Sequence, residues 1–186
     1  MAQELDIVDE QNRPLGRRKR KRDIERDGDW HRTAQIFVLN QRNELLLTLR
    51  HPDKEILPNY WDICIGGHIE PGETYDEGAL RETEEEVGIR PQPGELQPLG
   101  IVSVEMIDER IPLRDREHAQ VYVWQVTFDL TDFTPQSDEV ADMRFVPLDY
   151  VRQDLLAATS SFRYTPPRPT YLRMLELLTD ALKTTE

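Results

Sequence analysis

Residues 67–89 read GHIEPGETYDEGALRETEEEVGI, and this stretch marks both ends of one helix. Thr74 and Glu77 have the spacing of a capping box, in which each side chain accepts a hydrogen bond from the backbone amide of the other residue. Gly88 follows the last apolar position and supplies the left-handed conformation that ends many helices. The sequence therefore predicts a helix over Thr74–Val87.

Three carboxylates share one face of this predicted helix. At about 100° per residue, Glu85 falls roughly 60° to one side of Glu82, and Glu86 falls roughly 40° to the other. Local helix energetics do not favour this crowding of like charges, and a bound cation would relieve it. Oxygen ligands of this kind suit Mg²⁺ or Mn²⁺, which often share their coordination with substrate phosphates. The face predicts a divalent-metal site, although an isolated glutamate-rich helix is more often only a solvated surface.

Composition narrows the class of protein. The 186 residues suit one globular domain, and we expect residues 1–186 to form it. No apolar run approaches the roughly 20 residues of a membrane-spanning helix, and the first 30 residues lack the apolar core of a signal peptide. The single cysteine, Cys64, cannot form an internal disulfide. A net charge of −13 opposes bulk binding to nucleic acid. We therefore expect a cytoplasmic protein that neither spans a membrane nor coats nucleic acid.

Alternating and β-branched patterns place strands on both sides of the central helix. The predicted strands are Gln35–Leu39, Leu45–Leu49, Trp61–Ile65, Leu96–Met106, Ala119–Leu130 and Met143–Val146. Further helices are predicted at Asp149–Ala158 and at Pro169–Lys183, the latter forming the carboxyl-terminal helix of residues 168–186. This order predicts an α/β protein whose sheet lies between helices.

The first 30 residues are expected to form an arm or a hairpin. They contain the basic run Arg17–Arg22, which acidic residues follow directly. A solvated arm or helix start is the simpler interpretation of this run, and a nuclear signal or nucleic-acid patch is the alternative.

The fixed positions of residues 67–89 resemble the Nudix box, the signature of the Nudix hydrolases. The matching residues are Gly67, Glu73, Arg81, Glu82, Glu85, Glu86 and Gly88, with the closing aliphatic Ile89. Thr83 stands where the box usually has an aliphatic residue. Similar flanks extend the resemblance over most of Thr33–Leu148. The resemblance implies a Nudix-fold α/β/α sandwich with a mixed sheet.

The resemblance also implies an activity, the hydrolysis of a diphosphate linkage in a nucleoside-diphosphate-linked or related small molecule, with Mg²⁺ or Mn²⁺ as cofactor. The implied residues are Glu82, Glu85 and Glu86 for the metal, Glu85, Glu86 and Glu139 for catalysis, Gly66 and Gly67 for the approach of metal or phosphate, and Glu73, Arg81 and Gly88 for the loop–helix junction. The general base is either a glutamate of the box or Glu139. Many family members carry an acidic residue at the position of Glu139, in a loop that follows the box in the sequence. Glu105, Glu109 and Glu117 are weaker candidates.

Two other functions stay open. The flanking residues His31, Arg32, Arg50, Lys54, Trp61 and His68 are similar to those of isopentenyl-diphosphate isomerase, which has the same fold. The catalytic cysteine of that enzyme would fall at Gly66, whereas Cys64 lies two residues earlier. Arg50 and Lys54 could still bind a diphosphate group, or they could be surface charges only. A non-catalytic sensor of a nucleotide metabolite is the other alternative. A homodimer is a further expectation.

Overall fold

The computed structural model describes residues 3–54, 56–108, 113–165 and 168–184. Its strands are β1 (Glu4–Val8), β2 (Pro14–Arg20), β3 (Trp30–Asn40), β4 (Glu44–Arg50), β5 (Trp61–Asp62), β6 (Ile65–His68), β7 (Leu96–Asp108), β8 (Leu113–Val126) and β9 (Val140–Pro147). Its α-helices are α1 (Lys21–Asp27), α2 (Tyr75–Val87), α3 (Leu148–Leu156) and α4 (Arg168–Thr184).

The sheet is mixed, and its centre is a parallel pair. β3 runs parallel to β8 along its whole length, from Trp30 opposite Arg116 to Asn40 opposite Val126. β7 is antiparallel to β8, and the short β6 is antiparallel to the first half of β3. β4 pairs with β3, β5 and β9. The predicted mixed sheet is confirmed.

Different helices cover the two faces of this sheet. On one face, Ala79 and Val87 of α2 join a core cluster with residues of β3 and β8. On the other face, Val151 of α3 and Leu175 and Leu178 of α4 join a second cluster. Each helix buries one apolar stripe, so the sheet is sandwiched between helices as predicted.

Three predicted strands differ from the structure. β3 begins at Trp30 rather than at Gln35. The stretch predicted as one strand, Trp61–Ile65, contributes to two, because β5 pairs with β4 and β6 pairs with β3. The chain changes partner between them, which an alternation pattern does not reveal. β8 begins at Leu113 rather than Ala119, since its charged first half is held beside β3. It ends at Val126, and Leu130 lies in a 3₁₀ turn.

The amino-terminal segment forms a β-hairpin followed by a short helix. β1 and β2 are antiparallel, and Val8 of β1 pairs with Trp30 of β3, so the hairpin extends the main sheet. The basic run predicted as a solvated arm or helix start is divided. Arg17–Arg20 lie in the edge strand β2, and only Lys21 and Arg22 begin α1. The bounds of β2 could not be read from the sequence, because its charged residues show no apolar alternation.

Among the described residues, no helix combines the length and the apolar character that crossing a membrane requires.

Candidate functional site

Helix α2 begins and ends where the sequence predicts. Thr74 caps it, with both hydrogen bonds of the capping box present, and Gly88 ends it at a φ of 75°. The helix turns its buried face, including Ala79, Thr83 and Val87, towards the sheet. The Thr83 hydroxyl donates to the Ala79 carbonyl oxygen at 2.7 Å, so this side chain is buried with its polar atom satisfied.

Arg81 connects the loop before α2 to the acidic face of the helix. Its guanidinium binds both carboxylate oxygens of Glu73, each at 2.9 Å, and donates to the His68 carbonyl oxygen at 2.8 Å. It also reaches Glu82 at 2.8 Å and Glu85 at 3.2 Å. Hydrogen bonding from Arg81 lowers the pKa of Glu73. Arg81 therefore orients two of the three predicted metal ligands while holding the junction together.

Glu86 lies against the backbone of β6. The Gly66 amide donates to Glu86 Oε1 at 3.3 Å. Burial raises the pKa of Glu86 well above its ordinary value, and the nearby charges of Asp62, Glu82 and Glu139 add to this effect. A cation beside these carboxylates would replace the solvation that burial removes. Carboxylate oxygens suit a divalent metal, but the structure does not bring the ligand atoms of Glu82, Glu85 and Glu86 within 4.8 Å of one another.

Gly67 makes room for Glu82. A Cβ atom at this position would lie 2.5 Å from Glu82 Oε2, closer than such atoms approach. Burial raises the pKa of Glu82. The missing side chain thus allows a carboxylate to approach the β6 backbone. The approach of a metal or phosphate at this glycine stays a prediction.

Several predicted site residues line one pocket of about 240 Å³. These are Arg50, Gly66, Glu86 and Glu139. Glu85 is half exposed on the outer side of α2, so of the predicted ligands it is the least enclosed. The apolar wall of the pocket includes Val104, Met106, Leu113 and Met174.

The two predicted phosphate-binding side chains both have partners within the protein. Arg50 donates to the carbonyl oxygens of Ile56 and Leu57 and reaches Asp62 Oδ2 at 3.3 Å. Lys54 forms an ion pair with Glu139. Arg50 therefore shapes the rim of the pocket, and Lys54 holds the carboxylate that the sequence suggests as a general base.

Three residues that sequence analysis did not combine lie close together at the edge of the same pocket, which His68 and Glu117 line and behind which His31 is buried. Ligand atoms of His31, His68 and Glu117 lie within 4.8 Å of one another, the one such set of three among the described residues. Nε2 of each histidine is buried without a hydrogen-bond partner. Burial lowers the pKa of His31 to about 4 and raises that of Glu117 to about 8. Neutral imidazoles and an oxygen donor are ligands for a transition-metal ion.

The register of the sheet assembles this set. His31 lies opposite Glu117 in the parallel pair, and His68 lies opposite Thr33 on the other side of β3. Alternation along each strand would show which residues share a face, but the pairing of distant strands cannot be read from one sequence. Of the other weaker candidates, Glu105 pairs with Arg116 at the surface, and Glu109 lies outside the described residues.

Cys64 is expected to be structural. Its thiol is buried and donates to Gln35 Oε1 at 2.9 Å, and burial raises its pKa well above the ordinary value. Cys64→Ala should lower the free energy of unfolding by about 1 kcal/mol and leave most of the wild-type activity. Urea unfolding and turnover measure the two effects. Loss of activity in a folded variant that still binds Mg²⁺ would contradict this role.

This chain is similar to known proteins over most of its length. Residues 29–166 match the family model of the NUDIX domain. An uncharacterised Nudix hydrolase of Clostridium acetobutylicum is 36% identical over 149 residues, which cover 78% of this chain and 70% of the relative. An isopentenyl-diphosphate Δ-isomerase of Streptomyces avermitilis is 30% identical over 142 residues, covering 76% of this chain and 70% of that enzyme.

A solved structure shows the same fold at low identity. The crystal structure of a Deinococcus radiodurans protein superimposes with a TM-score of 0.69 at 18% identity, covering 94% of this chain and 98% of the other. This likeness shows the fold alone, whereas the domain match and the Clostridium relative identify the family. Together with the complete box on α2, they show that this chain belongs to the Nudix hydrolase family.

Proposed function

We propose that the protein hydrolyses a diphosphate linkage in a nucleoside-diphosphate-linked or related small molecule, using Mg²⁺ or Mn²⁺. The observation that carries this proposal is the position of Glu86, a buried carboxylate at the Gly66 amide in a pocket that also contains Glu139. Glu82 and Glu85 lie behind it on the same helix, oriented by Arg81.

Each residue has a distinct task in this proposal. A divalent metal, when bound, supplies charge neutralisation on the phosphate oxygens and lowers the pKa of a water molecule. Glu82, Glu85 and Glu86 would hold it. Glu139 or a box glutamate would accept the proton of the attacking water, and the ion pair with Lys54 keeps Glu139 at the rim of the pocket.

We include a second cation position beside this pocket, formed by the buried His31 together with His68 and Glu117 of the pocket lining. Its support is the convergence of three ligand atoms, two of which belong to buried imidazoles whose Nε2 atoms make no hydrogen bond. A mixed nitrogen and oxygen set favours Mn²⁺ or Zn²⁺ over Mg²⁺, which prefers oxygen alone. Titration with Mn²⁺ followed by electron paramagnetic resonance should show two bound ions per chain. One bound ion would remove this second position from the proposal.

The isomerase alternative has weaker support. Its catalytic cysteine would fall at Gly66, and a Cβ atom there would lie 2.0 Å from the Ala34 carbonyl oxygen. The Cys64 thiol is already used in a hydrogen bond to Gln35. A sensor without catalytic activity would not need the complete set of box carboxylates. We therefore favour hydrolysis over both alternatives.

The same proposal includes one domain over residues 1–186, a cytoplasmic location and a homodimer. The continuous sheet from the amino-terminal hairpin to β9 supports the single domain. Light scattering tests the dimer, and a mass near 21.8 kDa at micromolar concentration would contradict it.

A substrate panel tests the activity. It should contain nucleoside di- and triphosphates, nucleotide sugars, dinucleotides and prenyl diphosphates, each with Mg²⁺, with Mn²⁺ or with EDTA. We expect metal-dependent cleavage of at least one class and none with EDTA, since the pocket carboxylates need a cation to bind phosphate. Chromatography of the products measures the result. Allylic rearrangement of isopentenyl diphosphate, or no cleavage in any class, would contradict hydrolysis.

A further inference from the structure

Asp62 lies at the centre of a hydrogen-bonded cluster at the edge of the pocket. Its Oδ1 accepts hydrogen bonds from the Thr165 hydroxyl at 2.6 Å and from the Tyr171 hydroxyl at 2.7 Å. Its Oδ2 accepts from Arg50 at 3.3 Å. The two hydroxyls also contact each other. One carboxylate therefore joins residues from four parts of the chain.

This cluster connects β5 to the segment that leads into α4. Trp61 and Tyr164 form a parallel bridge, in which the Trp61 amide donates to the Arg163 carbonyl oxygen at 2.8 Å and the Thr165 amide donates to the Trp61 carbonyl oxygen at 3.0 Å. The next described element is α4, whose first turn carries Tyr171. Backbone and side-chain bonds thus hold the start of α4 against the sheet.

The cluster also connects the two walls of the pocket. On one side, Thr170, Tyr171 and Met174 of α4 line it. On the other side, Arg50 donates to the carbonyl oxygens of Ile56 and Leu57, which line it as well. Asp62 binds both Tyr171 and Arg50, so its carboxylate sets the distance between these walls.

We infer that Asp62, Thr165 and Tyr171 form a polar clamp that positions α4 as a wall of the substrate pocket and so determines how tightly the substrate is held. This inference rests on the proposed function, because it assigns the clamp to that same pocket. The clamp residues are positioning residues. Their hydrogen-bonding atoms are occupied by one another and by Arg50, which leaves the metal and the water to the carboxylates of α2 and to Glu139.

Burial keeps the Tyr171 hydroxyl protonated, so that it can donate a hydrogen bond. It raises the pKa of the phenol well above the ordinary value, and the negative charge of Asp62 acts in the same direction. The hydroxyl therefore stays protonated and continues to donate to Asp62. Phenylalanine would keep the ring packed in the core and remove only this donor, which makes Tyr171→Phe the most specific change.

Two measurements test the clamp, and Tyr150→Phe is the matched control. Tyr150 is an exposed residue of α3 whose hydroxyl contacts Ser161 at 2.7 Å, outside the pocket lining. In Tyr171→Phe we expect KM for the cleaved substrate to rise about fivefold or more, with kcat within about threefold, because binding geometry changes and the catalytic groups do not. Amide hydrogen exchange in α4 should be faster, and Tyr150→Phe should match the wild type in both measurements.

Asp62→Asn provides the second variant. An amide accepts fewer hydrogen bonds and attracts Arg50 less, so exchange should be faster both in α4 and around Ile56 and Leu57. Hydrogen exchange needs no substrate. If no compound of the substrate panel is cleaved, the proposed function is rejected. Hydrogen exchange in α4 still tests the clamp in that case. Unchanged exchange in α4 and an unchanged KM in Tyr171→Phe would overturn the inference.

Discussion

Glu86→Gln is expected to lower turnover by about 10²- to 10³-fold, the range seen when one electrostatic or metal-binding group is removed from an active site. This corresponds to about 3–4 kcal/mol of transition-state stabilisation. The physical reason is the position of the carboxylate, buried at the Gly66 amide and facing the pocket. Glutamine retains the shape and one oxygen but loses the charge that would hold a cation. Steady-state kinetics with a panel substrate measure the effect.

The fold of this variant should survive. Glu86 is repelled by Asp62, Glu82 and Glu139, so removing its charge should leave the free energy of unfolding unchanged or raise it. Glu84→Gln is the matched control, since Glu84 is an exposed residue of the same helix that pairs with Arg90. More than a tenth of wild-type turnover in Glu86→Gln would contradict the assignment.

Gly66→Ala is expected to have the largest effect on stability, with a loss of about 3 kcal/mol or more. Gly66 has a φ of 150°, and a Cβ atom there would lie 2.0 Å from the Ala34 carbonyl oxygen. The strand β6 would have to move away from β3, which would break their pairing. Urea unfolding measures the change in the free energy of unfolding.

Gly94→Ala is the control for Gly66→Ala, because it introduces backbone strain without a steric clash. Gly94 has a φ of 92°, but a Cβ atom there meets nothing within 4 Å. We expect it to lose only about 1 kcal/mol, the cost of an unfavourable backbone conformation. If Gly66→Ala is insoluble while Gly94→Ala is soluble and folded, the clash is supported. A loss below about 1 kcal/mol in Gly66→Ala would show that β6 accommodates the side chain.

Local patterns predicted the central helix almost to the residue. The capping box at Thr74 and the glycine at position 88 act through hydrogen bonds between residues close in sequence, so their effect can be read from the sequence alone. The ion pair of Glu73 with Arg81 is likewise local, formed across eight positions. Most strands were also predicted, though with approximate bounds, because the alternation of apolar and polar residues is a local pattern as well.

The rest of the candidate site depends on which distant strands become neighbours. His31 and Glu117 meet because β3 and β8 run parallel in one register, and a shift by one residue would turn one of them to the opposite face. Tyr171 reaches Asp62 from the last helix, across 109 positions. Neither contact leaves a periodic signal in a single sequence, because the residues that form it are set by the arrangement of whole elements.

The parallel pairing of β3 with β8 also has a consequence for how the chain folds. Thr33 and Glu117 are 84 positions apart, so forming the centre of the sheet closes a long loop of chain. Such non-local pairing lowers folding rates, because the entropy of loop closure is lost before the contacts form. During synthesis, β3 emerges well before its partner. β3 therefore lacks its parallel partner until β8 has emerged, and the pocket is completed only after Met174 of α4, the last residue of its lining, has left the ribosome.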